Sequence, residues 1–320
     1  MSGREGPGHP ALFFLRRALS VLAWVVAISG ATLVAQVKPA YLYSLSSFAG
    51  PLRYDWVRLQ VDQKRDETYV IYQNVVRVFN PSGMEIFSFG DDLQVGQILD
   101  AAVDPAGSII LLSYRDSKSL VTRCNYRGVA TGRIDITKLP PGLTFSANRV
   151  LARDGLLYFA SLTAASVIIT DSNGEFRNHV EFQPMLEVDE KEKAGAEMGG
   201  FTVDRDGSIY FTIPTAFKVY KYALDGKVTF FGSSGSAAGK FGVIGGVAVD
   251  SRGDILVADK LKCVVMAFDK DFRFLGEFGY RGAKPQNLIL PDEIAIDSRD
   301  RLYVSQARRR GISVFALNAG

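Results

Sequence analysis

Histidine is scarce in this 320-residue sequence, which limits the chemistry that the chain can perform. Of the two histidines, His9 and His179, only His179 lies within the body of the chain. A catalytic zinc site takes several side-chain ligands, and a Ser-His-Asp relay needs a histidine beside its serine. The sequence has no Gly-x-Ser-x-Gly motif for a serine nucleophile and no Cys-x-x-Cys-His motif for c-type haem. We therefore expect a non-catalytic protein without zinc or haem.

Four polar residues at equivalent positions of a sequence repeat include side chains that could bind a hard metal ion. Asp100, Asn148 and Glu293 each stand four residues before the marker residue of a repeated phrase described below, and Arg58 stands there in another copy. Carboxylate and amide oxygens are the ligands that calcium takes, whereas an arginine repels a cation. We expect a hydrated polar cluster whose side chains pack little. Calcium bound by Asp100, Asn148 and Glu293 is the alternative.

The repeated phrase places two short apolar runs around a polar turn, as in GGVAVDSRGDILVAD at residues 245–259. The marker, usually the Asp that ends the first run, falls at Asp62, Asp104, Ala152, Asp204, Asp250 and Asp297. Subtraction gives intervals of 42, 48, 52, 46 and 47 residues. A third and often a fourth apolar run follow each pair. This pattern predicts an all-β, six-bladed β-propeller of four-stranded blades. The marker Asp is expected to accept backbone N–H bonds in its turn, which is a structural role.

The two ends of the repeat array complete each other. The sixth copy stops after its third run, at residues 312–317, and so lacks a fourth strand. Residues 41–50 precede the first copy as a fourth strand precedes the others. We predict that this N-terminal strand completes the last blade, which leaves no exposed edge in the ring. The positions of Arg58, Asp100, Asn148 and Glu293 then surround one mouth of the central tunnel.

The stretch GSSGSAAGKFGVIGGVAVD, residues 232–250, resembles the connector of NHL repeats. A Gly-Ser-rich loop, Gly-x-Phe and Gly-Val-Ala-Val-Asp follow in the order that the family shows. The resemblance covers residues 41–320 and is strongest in copies four to six. It implies a six-bladed propeller but no single function, because the family includes enzymes, RNA-binding proteins and scaffolds. Similar lactonase-type propellers hold calcium at the depth of the tunnel mouth. A calcium-dependent hydrolase or lactonase therefore remains the alternative function.

The loops between the second and third runs of the copies are locally basic. In the predicted ring they share one face with the tunnel mouth, which we call the loop face. Its basic residues are Arg115, Lys118, Lys218, Lys260, Lys262, Arg308, Arg309 and Arg310. The whole chain has 37 basic and 34 acidic residues, which argues against nucleic acid as a partner. A solvated rim and a docking surface for an envelope protein or acidic ligand both fit this pattern.

The N-terminus reads as a separate segment. Residues 18–35, ALSVLAWVVAISGATLVA, are uncharged and directly follow Arg16 and Arg17. This order is typical of a secretory signal, and 18 residues are also just long enough to span a bilayer. We interpret residues 1–40 as a signal peptide or membrane anchor and residues 41–320 as the propeller. Either outcome places the propeller outside the cytoplasm, as a periplasmic, secreted or membrane-anchored domain.

Taken together, these features predict an exported or membrane-anchored NHL propeller that acts as a non-catalytic binding scaffold in the cell envelope. The two cysteines fall in copies two and five, which a six-fold ring places on opposite sides, so we expect no disulfide between Cys124 and Cys263. An acidic stretch, PMLEVDEKEKAGAEMGG at residues 184–200, lies in the connector between copies three and four. It is helix-capable and belongs to the loop face.

Overall fold

The computed structural model describes Gly3, residues 39–90 and residues 95–317. Within these residues the backbone forms six four-stranded antiparallel sheets, in chain order. They are the blades of a six-bladed β-propeller, which confirms the predicted fold. The apolar segment 18–35 and the rest of the proposed signal or anchor from residue 4 to residue 38 lie outside the described residues. In the described part of the chain, no helix is long and apolar enough to cross a membrane.

Each blade runs from an inner strand at the tunnel to an outer strand at the rim. The described chain opens with β1 (Ala40–Ser44) and a small hairpin of β2 (Ser46–Ser47) and β3 (Gly50–Pro51). Blade 1 contains β4 (Arg58–Asp62), β5 (Glu67–Tyr72), β6 (Val75–Phe79) and β7 (Glu85–Phe89). Blade 2 contains β8 (Gln97–Val103), β9 (Ile109–Arg115), β10 (Lys118–Cys124) and β11 (Ala130–Arg133). Blade 3 contains β12 (Arg149–Arg153), β13 (Leu156–Ser161), β14 (Ser166–Asp171) and β15 (Phe176–Glu181).

The second half of the ring follows the same order. Blade 4 contains β16 (Gly200–Val203), β17 (Ile209–Ile213), β18 (Lys218–Tyr222) and β19 (Val228–Phe231). Blade 5 contains β20 (Ile244–Val249), β21 (Ile255–Asp259), β22 (Val264–Phe268) and β23 (Phe274–Phe278). Blade 6 contains β24 (Ile294–Ile296), β25 (Arg301–Ser305) and β26 (Ile312–Ala316). The described helical segments are short: one α-helix, Glu190–Lys193, and two 3₁₀ turns, Gln183–Met185 and Pro214–Ala216.

Strand β1 closes the ring as the outer strand of blade 6. It pairs antiparallel with β26, with Ala40 opposite Ala316 and Ser44 opposite Ser313. The predicted closure is confirmed, but the closing strand is shorter than residues 41–50. After Ser44 the chain leaves the sheet, because the Ser46 N–H bonds the Gly83 carbonyl of blade 1 and residues 46–51 form the β2–β3 hairpin.

The apolar core consists of six clusters, one between each pair of neighbouring blades. Middle strands are covered on both faces, so β21 and β22 are buried at every position. This explains why they read as continuous apolar runs rather than as an alternating pattern. Cys124 and Cys263 are buried in this core and unpaired, as expected. Burial raises the pKa of the Cys124 thiol to about 11.

The marker aspartates hold their turns through backbone hydrogen bonds, as predicted. Asp250 Oδ1 accepts bonds of 2.9 Å from the N–H groups of Arg252 and Asp254. Asp297 Oδ1 does the same in blade 6 with Arg299 and Arg301, at 3.0 and 2.8 Å. Each such Asp satisfies donors that the turn would otherwise leave unpaired, which stabilises the hairpin locally.

Glycine lets the inner strands of blades 4 to 6 approach one another closely. A Cβ on Gly200 would lie 2.7 Å from the Gly246 Cα, and a Cβ on Gly246 would lie 2.7 Å from the Asp292 carbonyl oxygen. The Gly246 N–H donates to that same oxygen at 2.8 Å. Backbone therefore meets backbone where the inner strands of blades 4, 5 and 6 adjoin one another.

Candidate functional site

A buried cluster of charged side chains, centred on Arg149, lies at the tunnel mouth. The Arg149 Nε donates to Asp100 Oδ2 at 2.8 Å, and its two terminal nitrogens donate to Glu293 Oε2 and Oε1 at 3.1 and 2.5 Å. Arg58 adds a bond of 3.3 Å to Glu293 Oε2. We call Arg58, Asp100, Arg149 and Glu293 the mouth cluster. The planar guanidinium of Arg149 binds one carboxylate with both terminal nitrogens, which is a strong and directional arrangement.

Four blades contribute to the mouth cluster through the beginnings of their inner strands. Asp100 lies in β8 just after an irregularity in its pairing with β9. Its Oδ1 accepts the Ala101 N–H at 2.9 Å, and its Oδ2 also accepts the Val150 N–H at 3.0 Å. Because Val150 belongs to β12, this carboxylate joins blades 2 and 3 as well as binding the arginine.

The mouth cluster balances two cations with two carboxylates. The side chains of Arg149 and Asp100 are 2 % and 0 % exposed. Burial alone would lower the pKa of Arg149, but the charges of Glu293 and Asp100 outweigh that effect and raise the pKa. Buried ion pairs are costly to break, because removing one partner leaves the other charge uncompensated. The expectation that these side chains pack little is therefore wrong.

The structure brings together three of the four predicted mouth residues and adds one that the sequence reasoning missed. Asn148 is separate, since its side-chain oxygen accepts the Leu162 N–H at 3.1 Å. The difference arises in copy three, where Ala152 is not equivalent to the marker residues of the other copies. Arg153 pairs with Leu156 across a two-residue turn whose Asp154 and Gly155 have φ of 50° and 79°. This turn is one residue shorter than the three-residue turns of blades 2, 4, 5 and 6, so Arg153 is equivalent to the marker and Arg149 to the mouth position.

The mouth cluster does not offer calcium a suitable set of ligands. All four carboxylate oxygens of Asp100 and Glu293 already accept hydrogen bonds from the chain, and the Arg149 guanidinium lies between them. Among the described residues, no group of three or more His, Cys, Asp or Glu side chains is placed to hold a metal ion. His179 lies on β15, with its Nδ1 3.9 Å from Glu181 Oε1 and its ring edge-to-face with Phe145. That no calcium binds remains a prediction.

Four of the eight basic residues predicted on the loop face form an ion pair or hydrogen bonds within the protein. Lys260 pairs with Asp292 at 2.8 Å, and Lys218 donates to the Glu187 carbonyl. Lys262 donates to the carbonyls of Ser236, Ala237 and Lys240, and Arg310 donates to those of Ala283, Lys284 and Asn287. The exposed remainder consists of Arg115, whose Nε lies 3.6 Å from Asp116 Oδ2, and of Lys118, Arg308 and Arg309.

Folding also adds basic residues that the loop-by-loop reading of the sequence missed. The connectors into blades 6 and 1 place further exposed cations beside the loop of blade 6, where the Arg309 N–H bonds the Asp55 carboxylate. We call the resulting group the basic patch; it consists of Arg53, Arg281, Lys284, Arg308 and Arg309. No described carboxylate is in ion-pair contact with any of these five side chains. Trp56, 54 % exposed, lies in the same connector as Arg53.

A cavity of about 600 Å³ opens on the loop face beside blade 5. Its lining includes the aromatic rings of Phe217, Phe241 and Tyr280 and the aliphatic side chain of Leu261. Leu261 and Tyr280 are largely exposed, at 69 % and 54 %. Cavities of this size with a mostly apolar wall are typical of ligand sites, so the loop face offers apolar as well as charged surface to a partner.

Comparisons with known proteins agree with the fold. No model of a known protein family matches the chain. A segment of 87 residues is 32 % identical to the NHL-repeat protein brain tumor of Drosophila melanogaster. That segment is 27 % of this chain but only 8 % of the length of the fly protein. The likeness therefore concerns repeats within a much longer protein.

Solved structures extend the likeness to nearly the whole ring. A gluconolactonase from Xanthomonas campestris has a TM-score of 0.59 and 16 % identity, covering 91 % of this chain and 94 % of that one. Virginiamycin B lyase from Staphylococcus aureus has a TM-score of 0.57 and 10 % identity, covering 88 % and 99 %. A Bacteroides thetaiotaomicron protein of unknown function has a TM-score of 0.61 and 14 % identity, covering 87 % and 76 %. These findings support an NHL-like propeller. At such identities they show the fold alone.

Proposed function

We propose that this chain is a non-catalytic, NHL-type binding scaffold, exported or membrane-anchored, that engages an envelope protein or an acidic ligand through its loop face. The observation that carries the proposal is the mouth cluster. The place where a propeller enzyme would hold a metal or a proton-accepting carboxylate is filled by a buried arginine that binds both acids. With these carboxylates engaged by arginine, the ring offers its connectors and loops for recognition.

The composition of the loop face supports a binding role. The basic patch carries charge that the fold does not use, and Trp56 and Tyr280 expose aromatic surface near it. Arginine and aromatic residues are the types that dominate binding energy at protein interfaces. An extracytoplasmic location rests on the sequence of residues 1–40 alone.

The alternative function is a calcium-dependent hydrolase or lactonase with its site at the tunnel mouth. The gluconolactonase and the lyase named above use the same architecture, and this likeness keeps the alternative open. It requires that the Glu293 carboxylate leave Arg149 to bind metal or accept a proton. Calcium-dependent turnover of a lactone or ester that is lost in Glu293→Gln would favour the enzyme over the scaffold.

The scaffold is tested by photo-crosslinking in intact cells. A photoreactive amino acid is introduced in place of Arg309 or Lys118 on the loop face, and in place of Lys270 in the β22–β23 turn on the opposite face. We expect protein adducts from the loop-face positions and none from position 270. If neither loop-face position yields an adduct, the proposed function is wrong.

A further inference from the structure

The acidic connector between blades 3 and 4 is a fixed part of the loop face. We call residues 183–199 the acidic excursion. Its Leu186, Ala196 and Met198 are buried against blades 3 and 4. The Met198 N–H bonds the Leu162 carbonyl, and the Lys218 Nζ bonds the Glu187 carbonyl. The excursion is therefore held against the ring and presents its charges in a defined place.

Those charges are mainly negative and exposed. The exposed carboxylates of the acidic excursion are those of Glu187, Asp189, Glu190, Glu192 and Glu197. Lys191 and Lys193 are the cations of the same segment, and Lys193 pairs with Glu190 at 2.7 Å. Subtracting two cations from five carboxylates leaves a net charge of −3 on the excursion.

The basic patch and the acidic excursion lie on one face, on opposite sides of the ring. The excursion joins blades 3 and 4, whereas the patch is built from blade 6 and the connectors that enter blades 6 and 1. In a six-bladed ring, blade 3 lies across the tunnel from blade 6, and blade 4 lies across from blade 1. The loop face is thus positive on one side of the tunnel and negative on the other.

We propose that the loop face is self-complementary and that its partner is a second copy of this chain. A two-fold axis in the plane of contact, perpendicular to the line from patch to excursion, lays the acidic excursion of each copy against the basic patch of the other. Such an interface is isologous, so both contacts form at once and the assembly closes as a dimer. This inference rests on the proposed function, in that it takes the loop face to be the binding face and names what binds there.

Apolar residues near the tunnel mouth supply the remainder of such an interface. Val243, Leu261, Trp56 and Tyr280 are all exposed on the loop face. Stable interfaces bury about 800 Å² on each partner and combine an apolar centre with a polar rim. Val243 and Leu261 belong to blade 5, which lies between the excursion and the patch around the ring, whereas Trp56 and Tyr280 adjoin the patch. The charges fix the orientation of the two copies.

Sedimentation velocity of the full chain in a mild non-ionic detergent tests the proposal. We expect a dimer at low salt that dissociates as the salt concentration rises, because exposed charge pairs are screened. The variant Arg53→Glu/Arg281→Glu/Arg308→Glu changes the patch from five positive charges to a net charge of −1, and the variant Glu192→Lys/Glu197→Lys changes the excursion from a net charge of −3 to +1. Each should weaken dimerisation by about tenfold or more. A matched control, Lys227→Glu/Lys270→Glu, changes two exposed lysines in turns on the opposite face and should leave the dimer unchanged.

Mixing the two loop-face variants gives the decisive measurement. In a mixed pair, the unchanged excursion of the first variant faces the unchanged patch of the second, and the two reversed regions face each other with complementary charge. We expect the mixture to form a heterodimer at concentrations at which each variant alone is mainly monomeric. A monomer at all salt concentrations, or no rescue on mixing, would overturn the self-association. Crosslinks from the loop face to a different protein would then leave the proposed scaffold function standing, whereas the absence of any loop-face crosslink would remove both.

Discussion

At the scale of single residues, the tunnel mouth shows how one arginine decides what a site can do. Asp100 and Glu293 are acids of the kind that bind calcium, but the Arg149 guanidinium donates hydrogen bonds to their oxygens. The three charged side chains are nearly inaccessible to water, so the opposite charges beside each one stabilise its ionised form. The chemistry possible at this position is therefore set by the first residue of strand β12, RVLAR.

Replacing Arg149 by Met should strongly destabilise the ring. The change leaves the buried Asp100 carboxylate without a cation and Glu293 with only the partly exposed Arg58. We expect a loss of about 3–5 kcal/mol in the free energy of unfolding. Urea denaturation measures it. Arg58→Met is the control, because the Arg58 side chain is 37 % exposed and its pair with Glu293 should be worth about 1 kcal/mol or less. Equal losses in the two variants would contradict the central role of Arg149.

Calcium should not stabilise the protein. A site saturated at a hundred times its dissociation constant would add about 2.7 kcal/mol and raise the melting temperature. We expect no shift, because Arg149 and Arg58 already bind the carboxylates and repel a cation. Thermal melts with calcium and with chelator check this, using Asp100→Asn and Glu293→Gln as isosteric comparisons. A shift present in the native chain and absent from both variants would make the calcium-dependent enzyme the leading hypothesis.

At the scale of elements, the ring depends on one short strand and on two glycines. Strand β1 joins the start of the propeller to its end through β26, and Tyr41 lies edge-to-face against Phe315 with ring centroids 5.8 Å apart. Across the ring, Gly200 and Gly246 allow the inner strands of blades 4 to 6 to approach within backbone contact. Strand β1 and the two glycines therefore both contribute to closing the ring of blades.

Deleting residues 40–44 should cost several kcal/mol, because the ladder bonds and the buried surface of a whole strand are lost and the β26 edge is exposed. Thermal and urea denaturation measure the loss. Phe48→Ser, in the hairpin that follows, changes a residue that is 95 % exposed and should shift stability by no more than about 0.5 kcal/mol. A deletion variant that melts with the native chain would show that β1 does not hold the ring together.

Gly246→Ala should destabilise the ring by about 1–3 kcal/mol, since the new Cβ would lie 2.7 Å from the Asp292 carbonyl oxygen and the backbone of blade 6 would have to move. Gly132→Ala in β11 is the matched control, because no heavy atom lies within 4 Å of its added Cβ. Chemical denaturation of the two variants side by side makes the comparison. If both glycines tolerate alanine equally, the close approach of β20 and β24 is not a constraint.

At the scale of the whole molecule, the direction of β1 sets the face of the ring at which the described chain enters. Ala40 lies opposite Ala316, at the end of β26, and Ser44 lies opposite Ser313. The chain therefore enters the propeller on the face opposite the loop face. The loop face and the point at which the described chain enters the ring are therefore on different sides.

The propeller should lie outside the cytoplasm. Residues 18–35 follow Arg16 and Arg17 and carry no charge, a pattern typical of segments that direct the following chain across the membrane, whether or not they are cleaved. A reporter that is active only in the cytoplasm, fused after Gly320, should therefore be silent. The same fusion to a chain that starts at residue 39 is the control and should be active. Strong activity of the full-length fusion would contradict export.

The sequence by itself determined the repeats, the four strands of each blade, the marker turns and the completion of blade 6 by an N-terminal strand. These follow from local rules, because strand periodicity and turn chemistry act over a few residues and recur in every copy. Only the tertiary structure decided which charges meet. It shows that Arg149 rather than Asn148 faces the tunnel, because a turn shorter by one residue shifts which side chain points inward. It also divides the basic loops into those whose charges bond nearby carbonyls and those gathered into the basic patch, since that patch joins residues from distant copies that are neighbours only once the ring is closed.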